Sequence, residues 1–217
     1  MGGRKARAMA DAIALIDYGA GNLRSVHNAL KAAGAERVAV TADPNIVRGA
    51  RHVVLPGVGS FKSCMNGLSA IPGMIEALQK RVLKDGVPFL GVCVGMQLLA
   101  ERGLEFGETP GLGWIAGQVE RIERTDPEIK IPHMGWNDVS PLPRANAAQL
   151  VEPGEAYFLH SYHLVPDNGH DIAAMSDHGG SLVAAVARDN LLGVQFHPEK
   201  SQAYGLALLA RFLDWRP

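Results

Sequence analysis

Short apolar runs alternate with amphipathic segments of helical periodicity through the first half of the chain. The apolar runs predict strands at Ile13–Asp17, Val38–Thr41, His52–Leu55 and Val87–Val92. Helices are predicted from Leu23 to Ala33, capped by Asn22 and stopped by Gly34, from Met74 to Leu83, and from Val94 to Glu101, closed by Gly103. This alternation, with short connections, predicts a mostly parallel sheet flanked by helices.

The second half changes to short β-like runs separated by turns. These runs predict strands at Trp114–Ile122, Tyr157–Tyr162, Ile172–Ser176, Leu182–Ala187 and Leu191–Phe196. A last amphipathic helix is predicted from Gln202 to Leu213. We therefore expect one α/β domain over residues 11–217, with antiparallel strands added in its second half, and a loosely ordered tail over residues 1–10.

Composition narrows the class of protein. A chain of 217 residues can bury a sizeable core, and a net charge of −1 gives no reason to expect a nucleic acid or an anionic membrane as partner. No apolar run approaches the roughly 20 residues needed to span a bilayer. Cys64 and Cys93 are the only cysteines, too few for a disulfide framework, so we expect a reducing cytoplasm and look for a reactive thiol.

Cys93 has the strongest local signal in the sequence. It stands where an apolar strand meets a helix, with Gly91 and Gly95 two residues away on either side. This pattern predicts a nucleophile elbow, in which the glycines avoid clashes in a tight turn and the helix N-terminus favours the thiolate. The competing interpretation is a buried structural cysteine, and for Cys64, in a helix-like stretch, packing is the preferred interpretation.

A thiol nucleophile needs a histidine and a group that orients it. His197 ends a predicted strand, and Glu199 follows two residues later, where an extended chain places it on the same face. Pro198 favours that extended geometry. The other histidines are interpreted as structural or solvated, with His133 and His160 singled out for attention.

The set formed by Cys93, His197 and Glu199 fits several classes of enzyme, including a peptidase or another cysteine hydrolase. Metal chemistry fits poorly, because the sequence contains no CxxC, no HExxH and no pair of histidines at ligand spacing. No cofactor is expected.

Three motifs in order give a family resemblance. They are Gly91-Val92-Cys93-Val94-Gly95-Met96-Gln97, Gln195-Phe196-His197-Pro198-Glu199 and the turn Pro56-Gly57-Val58-Gly59. Together they resemble the class I, or triad, glutamine amidotransferases, a family with a flavodoxin-like α/β fold. The resemblance extends from about Ala12 to the end of the chain.

The resemblance implies a role for each matching residue. Cys93 would attack the glutamine amide, His197 would pass the proton to ammonia, and Glu199 would orient His197. The backbone amides of Val94 and, after a local rearrangement, Val58 would form the oxyanion hole. The residues implied to bind glutamine are Gly57, Gly59, Gln97, Ser161 and Tyr162.

Three further segments resemble the histidine-biosynthesis branch of the family, the glutaminase subunits of imidazole glycerol phosphate synthase. They are Asp17-Tyr18-Gly19-Ala20-Gly21-Asn22-Leu23, His133-Met134-Gly135-Trp136-Asn137 and Tyr157-Phe158-Leu159-His160-Ser161-Tyr162. This branch implies a heterodimer with a (β/α)₈ synthase subunit that receives the ammonia. Candidates for the partner-facing surface are Asn22, Trp136, Asn137 and Lys200. The alternative for Trp136 is a core tryptophan, and the alternative for Lys200 is an ordinary solvated lysine.

Three other functions compete with this one. A glutaminase of the anthranilate or GMP branch would differ at the first turn, and a stand-alone γ-glutamyl hydrolase would turn over without a partner. A non-catalytic binding module on the same fold is disfavoured by the intact set of Cys93, His197 and Glu199.

Overall fold

The protein is a single α/β domain built around a mixed sheet. A computed structural model describes residues 12–123, 128–142 and 148–217, so the tail predicted for residues 1–10 lies outside the described residues. The strands are β1 Ile13–Ile16, β2 Val38–Thr41, β3 His52–Gly57, β4 Phe89–Cys93, β5 Arg102–Gly103, β6 Thr109–Pro110, β7 Gly117–Arg121, β8 His133–Pro141, β9 Gly154–His160, β10 Tyr162–Pro166, β11 Ile172–Asp177, β12 Ser181–Arg188 and β13 Leu191–Val194.

The helices occupy the positions that the amphipathic pattern favours, with two additions. They are α1 Leu23–Ala32, α2 Pro44–Gly49, α3 Phe61–Ser69, α4 Met74–Leu78, which continues as a π-helix over Gln79–Lys84, α5 Val94–Gln97 and α6 Gln202–Asp214. Short 3₁₀ turns lie at Ala148–Leu150, Gly169–Asp171 and Pro198–Lys200.

Two sheets are present among the described residues. The larger has the strand order β2-β1-β3-β4-β13-β12-β11-β8-β9, and its first five strands are parallel while the others pair antiparallel. The smaller has the order β10-β7-β5-β6. The parallel strands β1, β3, β4 and β13 are buried along their whole length, as expected for a sheet covered on both faces.

Several predicted boundaries are wrong for identifiable reasons. The predicted helix at Val94–Glu101 ends at Gln97, because the segment 112–115 donates backbone hydrogen bonds to the carbonyls of Leu98, Leu99 and Ala100. Gly103 therefore does not close a helix but lies in β5, against the ring of Phe61.

The predicted strand at Tyr157–Tyr162 is two strands. The chain bends at Ser161, so that β9 pairs with β8 in the large sheet while β10 pairs with β7 in the small one. The predicted strand at Trp114–Ile122 begins only at Gly117, because the backbone amides of Trp114 and Ile115 bond to the Leu99 carbonyl. Asn22 makes no side-chain cap, since its backbone is not in the extended conformation that capping needs.

Candidate active site

The strand order brings Cys93 and His197 to one edge of the sheet. β4 lies between β3 and β13, all three run parallel, and Cys93 ends β4 opposite Gly57 at the end of β3. His197 follows β13 by three residues. The carboxyl ends of these neighbouring strands therefore meet at the position where open α/β sheets bind their ligands.

Cys93 occupies the tight turn that the sequence predicts. Its φ is 54°, which is uncommon for a residue with a side chain and is typical of a nucleophile elbow. A Cβ on Gly95 would stand 1.9 Å from the carbonyl oxygen of Leu55, and one on Gly91 would stand 2.6 Å from that of Gly95. Backbone packing around the elbow therefore requires both glycines.

Only four residues form the helix after Cys93. The macrodipole is the sum of aligned peptide dipoles. A helix this short therefore favours a nearby negative charge less than a long helix does.

His197 is held from both sides. Its Nδ1 donates to Glu199 Oε1 at 2.9 Å, and the side chains of both residues are almost fully buried. Its backbone amide donates to the carbonyl of Tyr157, and its carbonyl accepts from the Ser201 hydroxyl at 2.7 Å. These hydrogen bonds fix the orientation of the imidazole within the chain.

The charge state of His197 follows from its neighbours. Burial lowers the pKa of the imidazole, but hydrogen bonds and attraction from Cys93 and Glu199 outweigh burial and raise it to about 10. A protonated His197 therefore carries a positive charge next to the Cys93 sulfur.

A cavity of about 170 Å³ opens above Cys93. It is smaller than the roughly 300–1,000 Å³ typical of pockets for drug-sized ligands, so it selects a small substrate. The lining includes most of the predicted site residues, namely Val58, Gly59, Cys93, Val94, Gln97, Ser161, Tyr162, His197 and Lys200. Leu159 and His160, to which the sequence analysis gave no site role, complete the lining.

Gly57 and Glu199 do not line this cavity. Glu199 lies behind His197, which is the position expected for a residue that orients the imidazole. Gly57 is buried, and a Cβ there would come within 2.6 Å of the Gly95 amide nitrogen, so it brings β3 close to the elbow.

Gln195 lies beside the Cys93 thiol, although the sequence motif that contains it predicts no role for it. Its amide nitrogen lies 3.6 Å from the Cys93 sulfur, and its oxygen accepts from Gln97 Nε2 at 3.0 Å. Gln195 is fully buried. Its position two residues before His197 could have predicted this placement, because alternate residues of an extended chain lie on the same face.

In the segment predicted to complete the oxyanion hole, Val58 is exposed and its carbonyl is bonded to a thiol. Val58 is 42% exposed, and its carbonyl accepts from the thiol of Cys64 at 3.4 Å. Cys64 is fully buried, as its packing role predicts. The Tyr18 hydroxyl donates to the Pro56 carbonyl at 2.6 Å, which anchors the start of the same segment.

The four candidates for a partner-facing surface fall into two groups. Trp136 is 47% exposed and lies edge-on to Tyr157, and Lys200 is exposed above the same ring. Asn22 and Asn137 are only partly exposed, and Asn137 uses its amide nitrogen within the chain, on Asp177 O and His133 Nε2. The interpretation of Trp136 as a core residue is wrong.

Two further observations concern the residues that the structure describes. They include no cluster of three or more His, Cys, Asp or Glu side chains suited to hold a metal ion. Within the same ranges, every helix is too short or too polar to cross a membrane.

Comparison with known proteins identifies the family of this chain. Residues 14–214 match the family described as glutamine amidotransferase class-I. Two relatives named imidazole glycerol phosphate synthase subunit HisH, from Zymomonas mobilis and Caulobacter vibrioides, are 58% and 56% identical, each covering 94% of this chain and 96% and 99% of the relative.

A solved structure described as a glutamine amidotransferase shares the fold. It superposes with a TM-score of 0.71 at 20% identity and covers 93% of this chain and 97% of that one. With a family match over nearly the whole chain and relatives more than half identical, the protein belongs to the class I glutamine amidotransferases.

Proposed function

We propose that this chain is the glutaminase subunit of imidazole glycerol phosphate synthase and acts through Cys93, His197 and Glu199. The observation that carries the proposal is the buried hydrogen bond from His197 to Glu199, with the same imidazole next to Cys93 at the base of a small cavity. The names of the relatives at 58% and 56% identity support the choice of pathway. The catalytic domain is assigned to residues 11–217.

The geometry supports hydrolysis in two steps. The Cys93 thiolate attacks the carboxamide carbon of glutamine, and the tetrahedral oxyanion accepts hydrogen bonds from the amides of Val94 and, after a rearrangement, Val58. His197 gives its proton to the leaving nitrogen, so ammonia departs and a thioester remains. His197 then takes a proton from water, which attacks the thioester, and glutamate leaves as the thiolate reforms.

Gln97, Ser161 and Tyr162 are assigned to the glutamine pocket. The amide nitrogen of Gln97 already donates to the Tyr162 carbonyl at 2.8 Å and to Gln195 Oε1 at 3.0 Å. Only its oxygen is left to face a ligand, so Gln97 accepts a hydrogen bond from the substrate amino group. Gly59, at a φ of 96°, gives the neighbouring peptide the freedom to rearrange.

The ammonia requires an acceptor site close to its source, because ammonia released into water is diluted and protonated. Exposed apolar side chains lie beside the cavity mouth, namely Val58, Met134, Trp136 and Leu159. We assign this surface, together with Lys200 and Asn22, to a (β/α)₈ synthase subunit that binds a phosphorylated ribulosyl aminoimidazole carboxamide nucleotide. The fourth predicted candidate, Asn137, lies on the other face of the same strand, where it bonds to Asp177 O and His133 Nε2. The two free thiols fit a cytoplasmic location for this complex.

Glutamate release from glutamine tests the function. It is measured with the chain alone, with the synthase subunit, and with that subunit and its nucleotide, in wild type and Cys93→Ala. We expect strong stimulation by the liganded partner and no release from the variant. Release that depends on Cys93 but ignores the partner would indicate a stand-alone hydrolase instead.

Trp136→Ala tests the partner surface. A half-exposed tryptophan at the centre of an interface contributes about 2 kcal/mol or more to binding, so we expect the partner affinity to fall about 30-fold. Leu83→Ala is the matched control, since Leu83 is equally exposed, at 48%, but lies at the end of the π-helix that leads into the opposite edge of the sheet. Titration calorimetry measures both, and equal affinities for the two variants would contradict the assignment.

A further inference from the structure

The hairpin of β8 and β9 has two chemically different faces. Its cross-strand pairs Met134–Leu159 and Trp136–Tyr157 point outward, to the surface assigned to the partner. The alternate pairs point inward, and among them His133 lies opposite His160. Both histidines are buried, and both rings pack near Phe158.

Asn137, also on the inner face, determines which ring nitrogen of His133 carries the proton. Its side-chain oxygen accepts from the Asp138 amide at 2.8 Å, so its nitrogen is the atom that faces His133. That nitrogen donates to the Asp177 carbonyl at 2.8 Å and to His133 Nε2 at 3.0 Å. Since Nε2 of His133 accepts, its ring proton must lie on Nδ1.

The same argument determines the tautomer of His160. Nδ1 of His133 lies 3.0 Å from His160 Nε2, which therefore accepts, and His160 Nδ1 donates to the Tyr162 carbonyl at 2.9 Å. A proton added to either ring would have to displace one of these bonds. Burial keeps both rings neutral, since it lowers the pKa of His133 to about 4 and that of His160 to about 3.

The hydrogen-bond chain continues to the nucleophile. The Tyr162 carbonyl also accepts from Gln97 Nε2 at 2.8 Å, and Gln97 donates to Gln195 Oε1 at 3.0 Å. Gln195 Nε2 then points to the Cys93 sulfur at 3.6 Å. Every group from Asn137 to the sulfur has its hydrogen-bond direction set by its neighbours.

We propose that His133 and His160 are positioning residues that couple the β8–β9 hairpin to the Cys93 thiol through Gln97 and Gln195. The inference rests on the proposed function, because the outer face of this hairpin belongs to the surface assigned to the synthase subunit. We call the chain of hydrogen bonds from Asn137 to the Cys93 sulfur the relay. A partner seated on the outer face shifts the hairpin, and the relay carries that shift to the side-chain amides of Gln97 and Gln195.

Nitrogen NMR of the labelled wild-type chain tests the relay without any activity measurement. Two-bond proton–nitrogen correlation at neutral pH identifies the tautomer of each ring, with His133→Phe and His160→Phe used to assign the signals. We expect both residues as neutral Nδ1–H tautomers. An Nε2–H tautomer or an imidazolium at either position would overturn the relay.

Partner-stimulated glutamate release tests the coupling. His160→Phe keeps an aromatic ring but removes both nitrogens, and we expect the stimulated kcat to fall on the order of 10- to 100-fold, as for a misplaced catalytic group. His160→Asn restores a donor near the position of Nδ1 and should recover most of the loss. The control is His52→Phe, the same change at a buried histidine outside the relay, which should keep wild-type stimulation.

The possible failures are distinguishable. Wild-type stimulation in His160→Phe, or an equal loss in His52→Phe, overturns the coupling. If the wild type itself releases no glutamate with the liganded partner, the proposed function fails and the coupling fails with it. The tautomers then still decide whether the relay exists.

Discussion

His52 makes the stability of this protein sensitive to acid. It begins β3 at the edge of the sheet opposite Cys93, is 2% exposed, and lies edge-on to Phe212 at 5.1 Å. Burial, followed by repulsion from Arg216 and Arg51, outweighs a contact with the Phe212 backbone and lowers the pKa of His52 from 6.5 to about 4.

The size of the effect follows from proton linkage. Below pH 6.5 the unfolded chain binds a proton at His52, whereas the folded chain does so only near pH 4, so acid favours unfolding across that interval. With these two pKa values, His52 removes about 2 kcal/mol from the free energy of unfolding between pH 7 and pH 5. His133, His160 and His163, whose pKa values burial also lowers, add to the loss in the wild type.

Urea denaturation at pH 7 and pH 5 measures the effect in wild type and in His52→Phe. The drop in unfolding free energy between the two pH values should be about 2 kcal/mol smaller in the variant. The substitution also changes packing, but that effect is the same at both pH values. It therefore cancels when the drop in unfolding free energy between pH 7 and pH 5 is compared. His170→Gln, at an exposed histidine, is the control and should leave the drop unchanged. Equal drops in wild type and His52→Phe would refute the reasoning.

Two further substitutions test the active-site geometry. Glu199→Gln should lower the pKa of His197 from its value of about 10, because the amide still accepts from Nδ1 but carries no charge; an NMR titration that leaves this pKa unchanged would contradict the assigned cause. Gly95→Ala should cost at least about 3 kcal/mol of stability, because its Cβ would stand 1.9 Å from the Leu55 carbonyl oxygen. Gly169→Ala, where the added methyl meets open space, should change the urea midpoint little, and similar losses in the two variants would rule out the clash as the cause.

The sequence was sufficient to predict the parallel half of the fold. Continuous apolar runs such as Val87–Val92 mark strands buried on both faces, and the glycines around Cys93 mark the elbow without any tertiary information. These features depend on neighbours in the chain, which is why periodicity and turn chemistry detect them.

The missed features depend on partners far along the chain. β8 was not predicted, because neither of its faces packs on a uniform apolar core. One face carries His133, which joins a hydrogen-bond network, and the other carries Met134, which is exposed. The bend at Ser161 is set by two different sheets, and no local pattern encodes it. The contact from Gln195 to Cys93 joins residues 102 positions apart, so only the strand order places them together.

The placement of β13 beside β4 has a consequence for synthesis of the protein. Cys93 is made before the middle of the chain, but the strand that brings His197 to it is the last one, and it inserts between β4 and β12. A chain growing from its N-terminus therefore holds the Cys93 thiol without His197 until β13 and the residues after it have been made. Cys93 and His197 meet only when the central sheet closes, so the cavity above Cys93 is completed late in folding and not while the parallel half is being made.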